Sequence, residues 1–328
     1  MKGLVVGLGS IGTRHVNNLM KYSDVDIIIC SKRTDIEKNI VEKCTILDSI
    51  KQCLEEKPDF AILSNVTSLH VLTAIELAKN GIDLFIEKPL SNSLENIDEL
   101  YSLVKKKNLI TFLGCNMRFH KCIQKIKEIL DNNEIGRVLS VRAESSSFLP
   151  DWHPNEDYRD SYAAKKVLGG GVVLSCIHEI DYLYWFFGSV RELFAKNKKQ
   201  SDLDIDVEDL SNSLIHFKNN IIAELHLDFF QRPDFRSCNI IATKGVINWN
   251  SDSNIVKFFD SEKKSWLIKF EDTAYDRNDM YVDELDHFLN CIKLRKNTIN
   301  DLSQGIETTK IALAILKSSQ NNKVISFD

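Results

Sequence analysis

The sequence predicts an α/β fold in two parts: a doubly wound parallel sheet over residues 1–119, then an α+β domain with a mostly antiparallel sheet over 120–328. Three observations carry this. The apolar run Leu4, Val5, Val6 passes through Gly7-Leu8-Gly9-Ser10-Ile11-Gly12 into a helical apolar pattern of Ile11, Val16, Leu19 and Met20. Short apolar runs then alternate with helix-length amphipathic segments as far as Cys115, the order of a parallel sheet with helices on both faces. Beyond residue 120 the apolar residues form short runs with partial two-residue alternation, the pattern of antiparallel strands.

Taken in order, the first strand leads through the glycines into a helix over 13–21 and a strand over Asp26 to Cys30. A helix over 46–56, a strand Phe60 to Leu63, a helix His70 to Lys79 and a strand Asp83 to Ile86 follow. A helix over 93–107 and a strand over 110–115 complete the first part. The second part opens with a helix over 121–132. Strands follow over 138–148, 210–217, 221–229, 236–243 and 246–249, and helices over 280–294 and 302–319 close the chain.

Composition sets the class. A length of 328 residues favours two domains, and 43% apolar with 27% charged residues is ordinary for a soluble globular protein. The formal charge of −5, with scattered lysines and arginines, argues against a nucleic-acid or acidic-membrane surface. No segment reads as a membrane span, since the longest apolar stretch, 172–187, contains His178, Glu179 and Asp181. The first apolar run gives way to the glycine turn at Gly7, so a signal peptide is not expected and a cytoplasmic location is. Eight cysteines without metal-ligand spacing read as free, mostly buried thiols, and no metal site is expected.

A glycine turn between a buried strand and a helix is suited to a dinucleotide. Gly7 permits the turn, Gly9 admits a pyrophosphate to backbone N–H groups, and Gly12 lets helix and strand pack; Ser10 and Ile11 open the helix whose positive end faces the phosphates. The position about 20 residues on, which selects the cofactor, holds Ser31-Lys32-Arg33 instead of an acidic residue. A hydroxyl and two cations suit a 2′-phosphate, so NADP is favoured, with NAD the other choice. Small polar residues after the later parallel strands extend the same edge: Ser64, Asn65, Thr67 and His70, then Glu87 and Lys88, then Asn116 and Arg118. Lys88 is the expected proton acceptor for an alcohol, because the positive charge of an oxidised nicotinamide beside it favours the neutral amine.

These motifs together resemble the Gfo/Idh/MocA oxidoreductases, the family of glucose–fructose oxidoreductase and inositol 2-dehydrogenase. The resemblance rests on the glycine turn, Ser64-Asn65 with His70, Glu87-Lys88-Pro89, Asn116-Met117-Arg118, Gly169-Gly170-Gly171 with His178 and Asp181, and Tyr281 to Phe288. It implies an NAD(P)-dependent dehydrogenase or reductase acting on a sugar, cyclitol or related polyol. It also implies a cis Lys88-Pro89 bond, an open sheet whose uncovered face makes the subunit contact of a dimer or tetramer, and Lys88 and His178 as the catalytic pair. Two other activities occur among such relatives: glycosidic cleavage by transient oxidation with retained NAD, and non-catalytic cofactor sensing.

One departure stands out. Relatives carry an aspartate four residues before the histidine, whereas this chain has Leu174 there, with Ser175 beside it and Glu179 as a further substitute. If the segment is one helix, Leu174 and His178 share a face and Asp181 lies a turn beyond. The polar stretch Asp151 to Tyr162 is expected to bind substrate through Trp152, His153, Tyr158 and Arg159, alongside Lys88, Arg118, Ser175 and His178. That stretch, with His178-Glu179-Ile180-Asp181-Tyr182, is similar to family members associated with bacterial surface-sugar biosynthesis.

Overall fold

The structure is a computed structural model that describes residues 1–154 and 156–327, so Asn155 of the polar stretch lies outside the described residues. The chain forms two compact units, Met1–Cys115 with Tyr281–Thr309, and Asn116–Met280 with Lys310–Asp328. No helix among the described residues is long and apolar enough to cross a membrane. No disulfide forms among the described residues, and six of the eight cysteines are buried.

In the first unit six parallel strands, β1 (Lys2–Val6), β2 (Asp26–Cys30), β3 (Thr45–Leu47), β4 (Phe60–Leu63), β5 (Asp83–Ile86) and β6 (Thr111–Leu113), lie in the order β3-β2-β1-β4-β5-β6. The sequence direction reverses between β1 and β4, and this opens a crevice at their carboxyl ends. β4 and β5 are buried on both sides, which is why they read as unbroken apolar runs. Helices α1 (Ser10–Leu19), α2 (Lys38–Lys43), α3 (Ile50–Glu55), α4 (His70–Lys79) and α5 (Ile97–Lys107) make the crossovers. Ala74, Ile75 and Ala78 of α4 and Leu100 and Val104 of α5 pack in one core with Leu63, Leu84 and Ile86 of the sheet.

Two expectations change here. The helix over 46–56 is a short strand, β3, followed by α3, whose Ser49 cap accepts the Gln52 N–H at 3.4 Å; three strand residues are too few to show a period. The expected boundary at 119/120 also gives way, because Tyr281–Thr309 packs with the first unit. Phe288 meets Phe60 and Phe85 edge-on at 5.9 and 5.6 Å, and the Asn300 carbonyl accepts the Leu113 N–H at 2.9 Å at the sheet's edge. A long-range cover of this kind leaves no local mark in the sequence.

The second unit holds α6 (Lys121–Asp131), β7 (Val138–Ser146), α7 (Val172–Ser175), α8 (His178–Phe187), β8 (Val190–Lys198), β9 (Leu210–Phe217), β10 (Ile222–Asp228), β11 (Phe235–Ala242), β12 (Gly245–Asn250), β13 (Ile255–Asp260), β14 (Ser265–Glu271) and β15 (Ile325–Ser326). Its nine strands are antiparallel except where β7 runs parallel to β10. β8, β13, β14 and β15 were not expected as strands. Helices α9 (Arg277–Leu294) and α10 (Leu302–Asn321) carry the chain through both units. Val141, Ile215, Leu225, Ile240, Ile247 and Val256 face the covered side of the sheet, while the alternate positions Leu214, Ile222, Trp266 and Ile268 are 48–62% exposed.

Candidate active site

In the first unit the ligand edge is built from the carboxyl ends of β1, β2, β4 and β5. Gly7, at φ +92°, turns the chain out of β1, and its N–H is held by the Cys30 carbonyl at 3.0 Å. Gly12 lies so close to that turn that a Cβ would stand 2.2 Å from the Gly7 carbonyl oxygen and 2.7 Å from Ser64 Oγ. Ser64 Oγ donates to the Gly7 carbonyl at 2.9 Å, which locks the turn after β1 against the turn after β4. Gly9 differs. Its φ of −77° suits any residue, and a Cβ there would meet nothing within 4 Å, so the protein's own packing gives no reason for a glycine. It caps α1 without a side-chain hydrogen bond, which leaves the first-turn N–H groups beside it for an anion.

Asn65 adds a second mark of a ligand, since its Oδ1 is buried with no protein partner while its Nδ2 donates to Thr73 Oγ1 at 3.1 Å. Thr67 is buried at the start of a short 3₁₀ turn. His70 is buried between two carbonyls, Nδ1 at 2.8 Å from Pro89 O and Nε2 at 3.0 Å from Asn65 O, and burial pushes its pKa down. Its ring thus ties the turn after β4 to the turn after β5. The Lys88–Pro89 bond is cis. Glu87 Oε2 accepts the Lys88 N–H at 3.2 Å and Oε1 lies 2.7 Å from His15 Nε2, so the residue before the lysine is held on two sides.

At the end of β2, Ser31 Oγ accepts the Arg33 N–H at 3.2 Å and Lys32 is exposed. Arg33 forks onto Asp35, Nε to Oδ1 at 2.9 Å and Nη2 to Oδ2 at 2.5 Å, and its Nη1 donates to the Leu8 carbonyl at 2.9 Å. The Arg33 guanidinium holds the Asp35 carboxyl down to about 2. Arg33 therefore reaches the glycine turn with part of its charge already answered, a pairing the sequence reading did not foresee.

The second unit places its predicted residues differently. Arg118 is wholly buried and forks onto Asp181, Nε to Oδ2 at 2.7 Å and Nη2 to Oδ1 at 2.8 Å, with Trp185 stacked 5.4 Å from the guanidinium. Asn116 is buried in the same 3₁₀ turn. The segment after the triple glycine is not one helix: α7 ends at Ser175, Cys176 leaves the helical region, and α8 begins at His178. Leu174 and His178 consequently do not sit one turn apart on a common helix. Ser175 and His178 are both buried, and Glu179 pairs with Arg236 at 3.4 Å.

Glu208, absent from the sequence reading, completes this corner. Its carbonyl accepts the Val172 N–H at 3.0 Å and its Oε1 the Val173 N–H at 3.2 Å at the start of α7. A Cβ on Gly171 would stand 2.4 Å from that carboxylate, which explains the glycine. Burial pushes the Glu208 carboxyl up to about 7. In the polar stretch, Trp152 is packed edge-on against Phe229 at 5.3 Å and donates to Ser147 Oγ at 2.8 Å. Tyr158 accepts the Asp204 N–H at 3.1 Å, and Arg159 is exposed and forked onto Asp157. His153 is half-buried.

A doubly wound sheet with a glycine turn at its switch point, joined to a large antiparallel sheet, defines a two-unit dinucleotide-binding oxidoreductase. The chain belongs to the Gfo/Idh/MocA family: residues 1–115 match its oxidoreductase domain with an NAD-binding Rossmann fold, and residues 123–248 match its C-terminal domain. It is 28% identical to myo-inositol 2-dehydrogenase of Thermotoga maritima over 340 aligned positions, covering 99% of this chain and 98% of that one. It is 23% identical to the NAD(+)-dependent scyllo-inositol 2-dehydrogenase of Bacillus subtilis, over 99% and 95%. In fold it is similar to levoglucosan dehydrogenase solved with NADH, with a TM-score of 0.88 at 16% identity over 100% and 99% of the two chains. The WlbA dehydrogenase from Bordetella pertussis, solved with NADH and UDP-GlcNAcA, superposes at 0.84 with 18% identity over 100% and 98%.

Proposed function

We propose that this protein is an NAD(P)-dependent dehydrogenase or reductase that acts on a secondary alcohol of a cyclitol, sugar or related polyol. One observation supports it above the others: Lys88 leaves β5 at the same carboxyl edge where β1 gives the glycine turn, and Gly9 of that turn is small without any internal need to be. The nicotinamide, when bound, supplies the two-electron acceptor or donor for the carbinol carbon. Lys88 Nζ takes the hydroxyl proton in oxidation and returns it in reduction. In the second unit, His178 is the hydrogen-bond donor to substrate, and Ser175, Tyr158 and Arg159 contribute to substrate binding. The inositol dehydrogenases that match along the whole chain support a cyclitol as the first substrate to try.

For the cofactor we propose NADP over NAD, on the absence of an acidic residue at Ser31-Lys32-Arg33. Eight free thiols and a pyridine-nucleotide cofactor suit a reducing cytoplasm, which we propose as the location. The test of function is absorbance of the reduced nicotinamide with inositols, free sugars and nucleotide sugars, for the wild type and Lys88→Met. Turnover on at least one polyol is expected, and the substitution should reduce it by at least the 10²- to 10⁴-fold typical of one acid/base group, with cofactor affinity nearly unchanged. A near-normal rate for Lys88→Met would remove the lysine from the mechanism. Release of a glycosidic product without net cofactor reduction would favour the transient-oxidation chemistry instead.

A further inference from the structure

Behind Lys88 the first unit buries a cluster that the proposed chemistry does not use. His15 on α1, Glu87 after β5 and Glu284 on α9 are 0%, 6% and 0% exposed, and one ligand atom from each lies within 4.8 Å of the other two. His15 Nε2 and Glu87 Oε1 are 2.7 Å apart, and Glu87 Oε2 receives the Lys88 N–H. Glu284 is the odd member, with both carboxyl oxygens fully buried and no hydrogen-bond partner in the structure. A buried, unpaired carboxylate beside a second carboxylate is costly, and a proton kept on one of them removes the cost.

We propose that Glu284 is kept as the neutral acid, so that beside it the Glu87 carboxylate, held by His15 and the Lys88 N–H, keeps its charge directly behind Lys88. Glu284 is thus a positioning residue, and this role rests on the reading of Lys88 as the base. No bond is made or broken in the cluster; it holds one proton, on Glu284. The titratable groups facing Glu284 are His15 from α1 and Glu87 from the end of β5. Burial first, and then the charge of Glu87, raise the Glu284 pKa well above the carboxylate range. A cation held by the same three atoms is the competing arrangement. In the tautomer that carries the proton on Nε2, His15 donates to Glu87 at 2.7 Å and that nitrogen has no lone pair left for a metal.

The experiment compares the wild type with Glu284→Gln and Glu284→Leu as full-length proteins. The unfolded chain releases the Glu284 proton in the ordinary carboxylate range while the folded chain keeps it, so wild-type stability falls as pH rises through that range and beyond. Glutamine, which keeps a donor and cannot ionise, escapes this. Relative to Glu284→Gln, the wild-type folding constant is expected to fall by up to about tenfold per pH unit above the unfolded pKa and to equal it at pH 4. Turnover should stay within about threefold of wild type for glutamine and drop at least tenfold for leucine, with cofactor KM little changed. A stability difference independent of pH would overturn the proposal. So would a stoichiometric metal ion in the purified wild type that Glu284→Gln loses. Because the pH dependence of stability does not involve catalysis, active Lys88→Met protein would overturn the base assignment while leaving the Glu284 proton standing.

Discussion

Glycine positions divide the candidate site most sharply at the scale of residues. Gly7 and Gly12 are needed by the fold, through a left-handed φ and a 2.2 Å approach, whereas Gly9 is needed by neither. The sequence shows the three as one motif and cannot separate these reasons. Glu208 lends itself to a residue-scale test, because burial raises its carboxyl to about 7 in the folded protein. Its proton is lost near the ordinary carboxylate range when the chain unfolds, so this group lowers stability as pH rises from about 4.3 to 7 and its full penalty applies above that. Glu208→Gln is expected to be the more stable protein at pH 8 by up to about 3 kcal/mol, with no advantage at pH 4, as read from urea unfolding at both pH values. Loss of stability at pH 8 would mean that the Val173 N–H bond to the carboxylate outweighs the burial cost.

Elements read from the sequence well where their period was long and local. Helix α4, over His70–Lys79, and strands β4 and β5 stand at their expected bounds, because an amphipathic period or a doubly buried run is written in the residues themselves. The short strand β3, the break at Cys176 and the cover of the first unit by Tyr281–Thr309 depend on contacts far along the chain, and the sequence showed none of them. Site residues follow the same rule. Lys88 and the glycines were legible as motifs, while His15, Glu208 and Glu284 became visible only when the fold brought their partners close.

Two element-scale tests follow. On the proposed NADP preference, Asp35 would compete with the 2′-phosphate for Arg33, so Asp35→Asn is expected to tighten NADP by roughly tenfold, the worth of one charge-assisted hydrogen bond, and to leave NAD unchanged. Titration calorimetry with both cofactors reads this, and tighter NAD than NADP on the wild type would contradict the preference. The uncovered sheet face, with Leu214, Ile222, Trp266 and Ile268 exposed, is the surface we propose for a homo-oligomer. Ile268→Glu should shift the light-scattering mass toward the monomer. A wild type that is monomeric at micromolar concentration would exclude that role.

For the molecule as a whole, family membership and a parallel sheet with its switch point between β1 and β4 converge on one claim, that the carboxyl edge of this sheet takes a dinucleotide. A ligand that binds only the folded chain raises its stability in step with concentration over Kd, so binding and folding can be read in one instrument. The decisive measurement is thermal unfolding of the wild type and Gly9→Ala with increasing NADPH and NADH. Without cofactor the two Tm values should agree closely, because the added methyl group meets nothing within 4 Å and the backbone angle suits alanine. With cofactor, the wild-type Tm should climb while that of Gly9→Ala lags by at least a tenfold loss in affinity, about 1.4 kcal/mol. Equal cofactor-induced stabilisation of both proteins would contradict the claim that Gly9 is small to admit the dinucleotide.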